Sequence, residues 1–513
     1  MSKVLVIGLD GATWDLLKHW VEEGRLPTLK KLMKEGVHGK LRSTIPPLTG
    51  PAWVSFATGK NPGKHGCYDF LLPRDGLDDI QTITTRDITG ETFYEILDRN
   101  GKKCILINLP CSYPPRIKSI VITDFLTVGD EFIFPRKLIE EIPELKEYRV
   151  IPKSHSRINE YINDVRDLEQ NRFKCAKKLF EKEWDFFFIL FSGTDWIQHK
   201  IYDKLISGDN LDAIEFYEEI DDYVKWFVEN AGDANILIMS DHGFHFYNKK
   251  FAINKWLMKE GYLKIKPKKS PESTFREKSQ KGVTVPVSLL RHQKIFKLGT
   301  FFYRLFRGML PTTPLIKTEP DTTASIAYSV LSSANGNCCG IYINSKRRFN
   351  NGSVEIVDYE KVRGKLMDKL EELRDENGKK IFKSVLKGED VYFGECVDKA
   401  PDIVLISDEY NIASFYDEDK ISNEHALNGI FLAYGKDIKE GGRVNVEIID
   451  LAPTVLYMMD IPIPKGMDGR VLQEIFKEDS ELAKKGTVYQ EVGDEEKRTI
   501  KEKIKELKAI GKI

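Results

Sequence analysis

Residues 4–11 read VLVIGLDG, an apolar run closed by Asp10 and Gly11. A run this short, ending in an acidic residue and a glycine, has the pattern of a strand buried on both faces of a parallel sheet, with its carboxylate at the strand's exit. Four further segments bring metal-ligand residue types to apolar runs. They are PPLTGPAWVSFATG at 46–59 with Thr49, FFFILFSGTDWIQH at 186–199 with Asp195 and His199, NILIMSDHGF at 235–244 with Asp241 and His242, and ISNEHALNGIFLAYG at 421–435 with His425. Open α/β sheets place their sites at the carboxyl ends of their strands. Together the five segments supply three Asp, three His and one hydroxyl. That is enough for two metal ions with three protein ligands each and a hydroxyl beside them.

Outward from these segments, residues 1–260 alternate apolar strands with amphipathic helices, the signature of an α/β sheet with crossover helices. Strands are expected at 4–8, 104–108, 120–124, 185–191 and 236–239, and helices at 28–35, 52–58, 158–182 and 211–230. The alternation resumes after 320, with strands at 340–343, 402–406 and 429–434 and helical patterns at 358–374 and 448–459. A discontinuous catalytic domain of residues 1–260 and 321–480 is therefore expected. Between its halves, Lys264–Arg307 holds twelve Lys/Arg against two acidic residues, a local net charge of +10. Within it, IFKLGTFFYRLFRGML at 295–310 interleaves aromatic and basic residues. Segment 261–320 is expected to cap the site and face an anionic substrate, and 264–310 also suits peripheral contact with an anionic membrane. The terminal segment 481–513, charged from Asp494 to Lys512, reads as a solvated helix.

Composition narrows the class. Hydrophobic residues at 41% and charged residues at 31% describe a soluble globular protein, and a formal net charge of −1 signals no bulk attraction to nucleic acid. The start of the chain runs straight into a strand without a basic leader, and no run approaches the roughly 20 apolar residues of a membrane span. A cytoplasmic location is expected, peripheral at the inner membrane surface if the basic segment meets lipid. The seven cysteines are dispersed and form no CxxC pair, so reduced thiols are expected and a cysteine zinc site is not.

Taken singly, the site residues are ambiguous. An Asp10-Gly11 pair after a strand is commonly a turn, and Thr49 before Gly50-Pro51 is commonly a helix N-cap. The same geometry aims a hydroxyl at a phosphoryl group held by the helix N-terminus. Asp195 and His199, four residues apart, share one helix face, which suits both chelation and an ordinary surface pair. Asp241 and His242 at the end of a buried strand need a partner to offset desolvation, and a metal ion is the economical one. Among the other histidines, His65 is the leading candidate for a further role.

The joint order Asp, Thr, Asp-x-x-x-His, Asp-His-Gly, His resembles the alkaline phosphatase superfamily, in particular the type I phosphodiesterase/nucleotide pyrophosphatase group and its prokaryotic phosphohydrolase relatives. Two further stretches carry the likeness: TGKNPGKHG at 58–66 and DLAPTVLYMMDIPIPKGMDGRVL at 450–472. The resemblance covers roughly residues 1–260 and 335–475. It implies an alkaline-phosphatase-like three-layer α/β/α fold with a mostly parallel central sheet and an inserted cap. One ion is then held by Asp195, His199 and His425, the other by Asp10, Asp241, His242 and the Thr49 oxygen. The ions are divalent, with zinc the first expectation and manganese or iron also compatible. The implied reaction is hydrolysis of a small anionic phosphoester through a phosphothreonine on Thr49. One departure bears on the substrate. Nucleotide pyrophosphatases place a phosphate-binding asparagine a few residues after the HG pair, and this chain has Tyr68, Asp69 and Phe70 there.

Three alternatives remain in view. A sulfatase needs a Cys or Ser in a C/S-x-P-x-R context, which LTGPAW does not offer. A phosphomutase of the same superfamily uses a serine and carries its insertion between nucleophile and later ligands, whereas here the nucleophile is a threonine and the insertion follows His242. A non-catalytic membrane-surface binding protein of this fold should lack ligands, and none is missing.

Overall fold

The computed structural model describes residues 3–73, 80–127, 131–265, 321, 323–330, 334–414 and 422–491. Strand Val4–Leu9 lies in the middle of a ten-stranded sheet. Across the sheet the order is Gly442–Arg443, Val37–Arg42, Asn428–Tyr434, Asn235–Met239, Val4–Leu9, Phe186–Phe191, Cys104–Ile107, Ile120–Ile122 and Ile133–Phe134, and Val446–Glu447 also pairs with Val37–Arg42. The central five pair in parallel, from Asn235–Met239 through to Ile120–Ile122.

Alternation along these strands builds two cores. Leu5, Ile7 and Leu9 enter one core with Phe187, Ile189, Ile236 and Ile238, and this face is covered by helices Trp14–Glu22, Pro27–Glu35, Ile158–Phe180, Gly193–Ser207 and Leu211–Asn230. Val4 and Val6 enter the other with Phe186, Phe188, Leu237 and Met239, under helices Thr49–Thr58, Phe93–Arg99 and Leu451–Met458. A period of two with both faces covered explains why these strands are apolar throughout. The molecule has the expected three-layer α/β/α architecture around a mostly parallel sheet.

Two features of the sheet were not evident in the pattern. Asn428–Tyr434 runs antiparallel to both neighbours, although its apolar run reads like those of the parallel strands. The strands expected near 340–343 and 402–406 form, but in a second, antiparallel sheet of Ala327–Tyr328, Cys338–Ile343, Ile403–Ile406 and Ser384–Lys387, with Ala334–Asn335 on Cys338–Ile343. Helices Ile253–Lys259 and Tyr359–Glu371 pack into this smaller lobe's own core through Ile253, Leu257, Leu366 and Leu370.

The basic segment expected as a cap lies outside the described residues from 266 to 320, and so does the charged 492–513 segment. The stem of the former is defined: the Asp321 N–H donates to the Lys264 carbonyl at 2.8 Å, and the Lys264 N–H to Ser325 Oγ at 3.0 Å. The chain thus leaves and rejoins the smaller lobe at one point. All seven cysteines are buried and unpaired. Among the described residues no helix is long and apolar enough to cross a membrane.

Candidate active site

Strand direction gathers the seven predicted residues at one sheet edge. Asp10 and Asp241 follow Val4–Leu9 and Asn235–Met239. The edge turn at Asp10 needs Gly11, whose φ is +64° and where a Cβ would come within 3.0 Å of Asp195 Oδ1. Strand Phe186–Phe191 leads into helix Gly193–Ser207, which carries Asp195 and His199 on one face. Because Asn428–Tyr434 is antiparallel, its beginning lies at the edge where the parallel strands end, and His425 arrives there ahead of its strand. Helix Thr49–Thr58 starts three residues before the expected 52, with Leu48 as N-cap. Thr49 is therefore the first helical residue. Its hydroxyl is not a cap and lies 3.3 Å from His242 Nε2.

The contacts form two interleaved clusters. His242 Nε2 is 3.3 Å from Asp241 Oδ2 and 3.7 Å from Asp10 Oδ1. His199 Nε2 is 3.4 Å from Asp195 Oδ1 and 3.0 Å from His425 Nε2, which is itself 3.5 Å from Asp195 Oδ1. Asp10, Asp241 and His242 present ligand atoms to a common point, and so do Asp195, His242 and His425. The His242 and His425 rings stack with centroids 3.7 Å apart, joining the clusters.

Each imidazole is turned the same way. Nδ1 of His425 faces the Pro47 carbonyl at 3.0 Å, Nδ1 of His199 the Asn423 carbonyl at 3.2 Å, and Nδ1 of His242 the Gly243 carbonyl at 3.0 Å. A carbonyl only accepts, so the proton sits on Nδ1 and the Nε2 lone pairs face one another across the site. Burial holds all three rings neutral: it pushes His199 down to about 3 and His425 to about 4, and lowers His242 as well. On the acidic side, Asp10 Oδ1, Asp195 Oδ1 and Asp241 Oδ2 are buried without a hydrogen-bond partner. Burial, with help from Asp241 and Asp195, raises the Asp10 carboxyl well above its ordinary range. Burial also raises Asp195. Facing lone pairs and bare carboxylate oxygens in a desolvated site are repulsive without a cation. Neutral imidazole and carboxylate are the donors a divalent transition ion takes, so the residues present fit such ions.

Sequence reasoning missed Glu424, which lies 3.8 Å from His199 Nδ1 and forms with His199 and His425 a further group of neighbouring ligand atoms. Burial and then Asp195 push its carboxyl up to about 8. Nothing local distinguishes an acidic residue beside a ligand from a solvated one. His65 is buried and turned elsewhere: it accepts the Cys67 N–H at Nδ1 (3.1 Å) and donates from Nε2 to Ser55 Oγ (2.8 Å). The two remaining family-like stretches lock together. Asp468 Oδ2 accepts from the Asn61 N–H and side-chain amide, both at 2.9 Å, and Oδ1 accepts from Lys64 Nζ. The Asp468 N–H donates to the Gly59 carbonyl at 2.7 Å, anchoring the end of helix Thr49–Thr58. Where the asparagine was sought, the Tyr68 hydroxyl donates to the Cys396 carbonyl at 2.7 Å, and Phe70 packs so closely on Gly50 that a Cβ there would lie 3.1 Å from its ring.

No curated protein matches the chain. Among solved structures, the fold is similar to phosphonoacetate hydrolase from Sinorhizobium meliloti 1021 in complex with phosphonoacetate, at 15% identity over 88% of this chain and 94% of that one, with a TM-score of 0.53. It is also similar to murine ectonucleotide pyrophosphatase/phosphodiesterase 5, at 12% identity over 93% of this chain and 100% of that one, with a TM-score of 0.52. An inactive threonine-to-alanine variant of the murine protein, in complex with AMP, matches at 12% identity over the same shares with a TM-score of 0.51. The family model for type I phosphodiesterase/nucleotide pyrophosphatase matches residues 4–430, and the chain belongs to that family of phosphoester hydrolases.

Proposed function

We propose that this protein is a two-metal phosphoester hydrolase acting on a small anionic substrate through a phosphothreonine on Thr49. The observation that carries this reading is the convergence of three Nε2 lone pairs and three unpartnered carboxylate oxygens beside a hydroxyl that caps nothing. Asp10, Asp241, His242 and Thr49 Oγ1 would hold one ion, and Asp195, His199 and His425 the other, with zinc the best match and manganese or iron alternatives. Such ions supply Lewis-acid polarisation of a phosphoryl oxygen and lower the pKa of the threonine hydroxyl.

The chain's own groups account for the remaining steps. Thr49 stands on the first turn of a ten-residue helix. The unpaired N–H groups and dipole of that turn receive phosphoryl oxygens and orient phosphorus toward Oγ1. Attack by Oγ1 breaks the bond to the leaving oxygen, which takes up the proton lost from the hydroxyl, and leaves phosphothreonine; water entering from the opposite side then releases phosphate, or a phosphate monoester when the substrate is a diester, and restores the hydroxyl. The inactive threonine-to-alanine murine neighbour supports a threonine nucleophile. Phosphonoacetate and AMP, held by neighbours, share a tetrahedral phosphorus centre. Tyr68, Asp69 and Phe70 argue against nucleotide specificity, since the stretch after the HG pair offers a phosphate no asparagine amide.

The test is turnover of aryl phosphate, aryl phosphodiester and aryl sulfate by the purified, metal-analysed protein, with and without a strong chelator. We expect phosphoester hydrolysis, close to two divalent ions per chain and loss of activity on chelation. Sulfate-only turnover, or hydrolysis untouched by chelation, would overturn the reading. Phosphoryl transfer without phosphate release would select the phosphomutase alternative. The absence of a nucleic-acid partner belongs to the same proposal, resting on the near-zero net charge, and so does a cytoplasmic location, resting on the seven unpaired thiols.

A further inference from the structure

Helix Gly193–Ser207 carries Asp195 and His199, and its first turn rests on a buried ion pair that the chemistry above leaves unused. Glu169 and Arg172 sit three residues apart on helix Ile158–Phe180, with side chains 0% and 1% exposed. Arg172 Nη1 donates to both Glu169 carboxylate oxygens at 2.8 Å and to the Leu190 carbonyl at 3.0 Å. Glu169 Oε1 accepts the Gly193 N–H at 2.7 Å. The helix's own N-cap, Ser192, contributes no side-chain cap, so the carboxylate that satisfies this helix end comes from another helix.

The junction has no slack. A Cβ at Gly193 would come within 2.6 Å of Phe216, 2.8 Å of Val165 and 3.0 Å of Glu169. The Trp196 ring lies 5.8 Å from the Arg172 guanidinium, covering the pair from the helix side. The Asp195 carboxylate stands in this same first turn and the His199 ring one turn further along the helix, so a tilt at Gly193 moves both. Charge matters as well. An unpaired Arg172, whose charge is felt at Asp10, would oppose a divalent cation, and an unpaired Glu169 would be a costly buried anion, whereas the pair is neutral.

We infer that Glu169 is a positioning residue: it clamps the Gly193 amide and so holds Asp195 and His199 at ion-binding distance, while Arg172 cancels its charge. This inference rests on the two-ion reading above. Replacing a buried ion pair by apolar side chains of similar volume commonly leaves folding intact. Stability and positioning can therefore be separated.

The experiment compares two neutral variants of the full chain, Glu169→Met with Arg172→Met, and Glu169→Gln with Arg172→Met. The second keeps a carbonyl oxygen able to accept the Gly193 N–H. Zinc affinity is read by competition with a chromophoric chelator, and folding by thermal unfolding of the metal-free forms. For the Met/Met variant we expect one of two ions to bind about tenfold or more weakly, in the range found for outer partners of metal ligands. The Gln/Met variant should stay within about threefold of the wild type. Wild-type affinity in both variants, or equal weakening in both, would overturn the inference. Absence of ions from the wild type would instead overturn the two-ion reading. Should the Met/Met variant fail to fold, Glu169→Asp, which keeps the charge but withdraws it from Gly193, takes its place: weakened binding supports the clamp, and wild-type binding overturns it.

Discussion

Thr49 is 5% exposed, begins its helix without capping it, and touches His242. Removing its hydroxyl should therefore cost chemistry and little else. Thr49→Ala is expected to lower turnover by roughly 10³-fold or more and to change unfolding free energy by no more than about 1 kcal/mol. Thr49→Ser should retain measurable activity, and acid quenching should trap phosphate on residue 49. A fully active Thr49→Ala enzyme would mean that water attacks phosphorus directly. The carboxylates yield a second expectation. Asp10 and Asp195 have pKa values raised above 3.8, so each binds a proton between that value and its raised one in the ion-free protein. Ion binding must displace those protons, so affinity should rise with pH across the window and level off above it. His199 and His425, held near 3 and 4, are already neutral and add no release at higher pH. Calorimetry in buffers of different ionisation enthalpy measures the released protons, and a pH-independent affinity throughout would contradict this account.

At the scale of elements, apolar runs revealed where strands and helices lie but not what they join. The helix at Leu211–Asn230 matches its expected span, and the five early strands form close to theirs. Runs 340–343 and 402–406 gave no sign that they pair with each other in a separate sheet, because periodicity reports burial and not partner. Strand direction is equally silent in the pattern, so the apolar run after His425 does not show which sheet edge the histidine reaches. Stretches 58–66 and 450–472 proved to be a clamp between elements, with Asp468 binding Asn61 and Lys64 at the end of helix Thr49–Thr58. Asp468→Ala removes charge-assisted bonds from a largely buried carboxylate and should cost about 2–3 kcal/mol by denaturant unfolding. Turnover should also fall through displacement of Thr49. Unchanged stability would show that the Gly59 backbone contact is sufficient.

For the whole molecule, the ten-stranded sheet and the smaller antiparallel lobe have separate cores, and the basic segment springs from the smaller lobe at Lys264 and Asp321. Its +10 charge supplies an attraction for anions wherever the segment lies. Neutralising Lys294, Lys297, Arg304 and Arg307 together is expected to raise the Michaelis constant for small soluble phosphoesters. Unchanged soluble kinetics with lost, salt-sensitive binding to anionic vesicles would assign the segment to a membrane surface instead.

The amino-acid sequence by itself determined the α/β class and the order of the seven candidate ligands, because buried strands must be apolar and a charged residue at the end of one demands a partner. It could not determine how those residues face one another. The antiparallel turn of Asn428–Tyr434 brings His425 to the common edge. The carbonyls of Pro47, Asn423 and Gly243 select the imidazole tautomers. Glu169 anchors the helix of Asp195 and His199 from a neighbouring helix. Apart from the Gly243 contact, these relations join groups far apart along the chain, and no local periodicity encodes them. Only closure of the tertiary structure brings such groups within hydrogen-bond reach, and there the geometry of the site was decided.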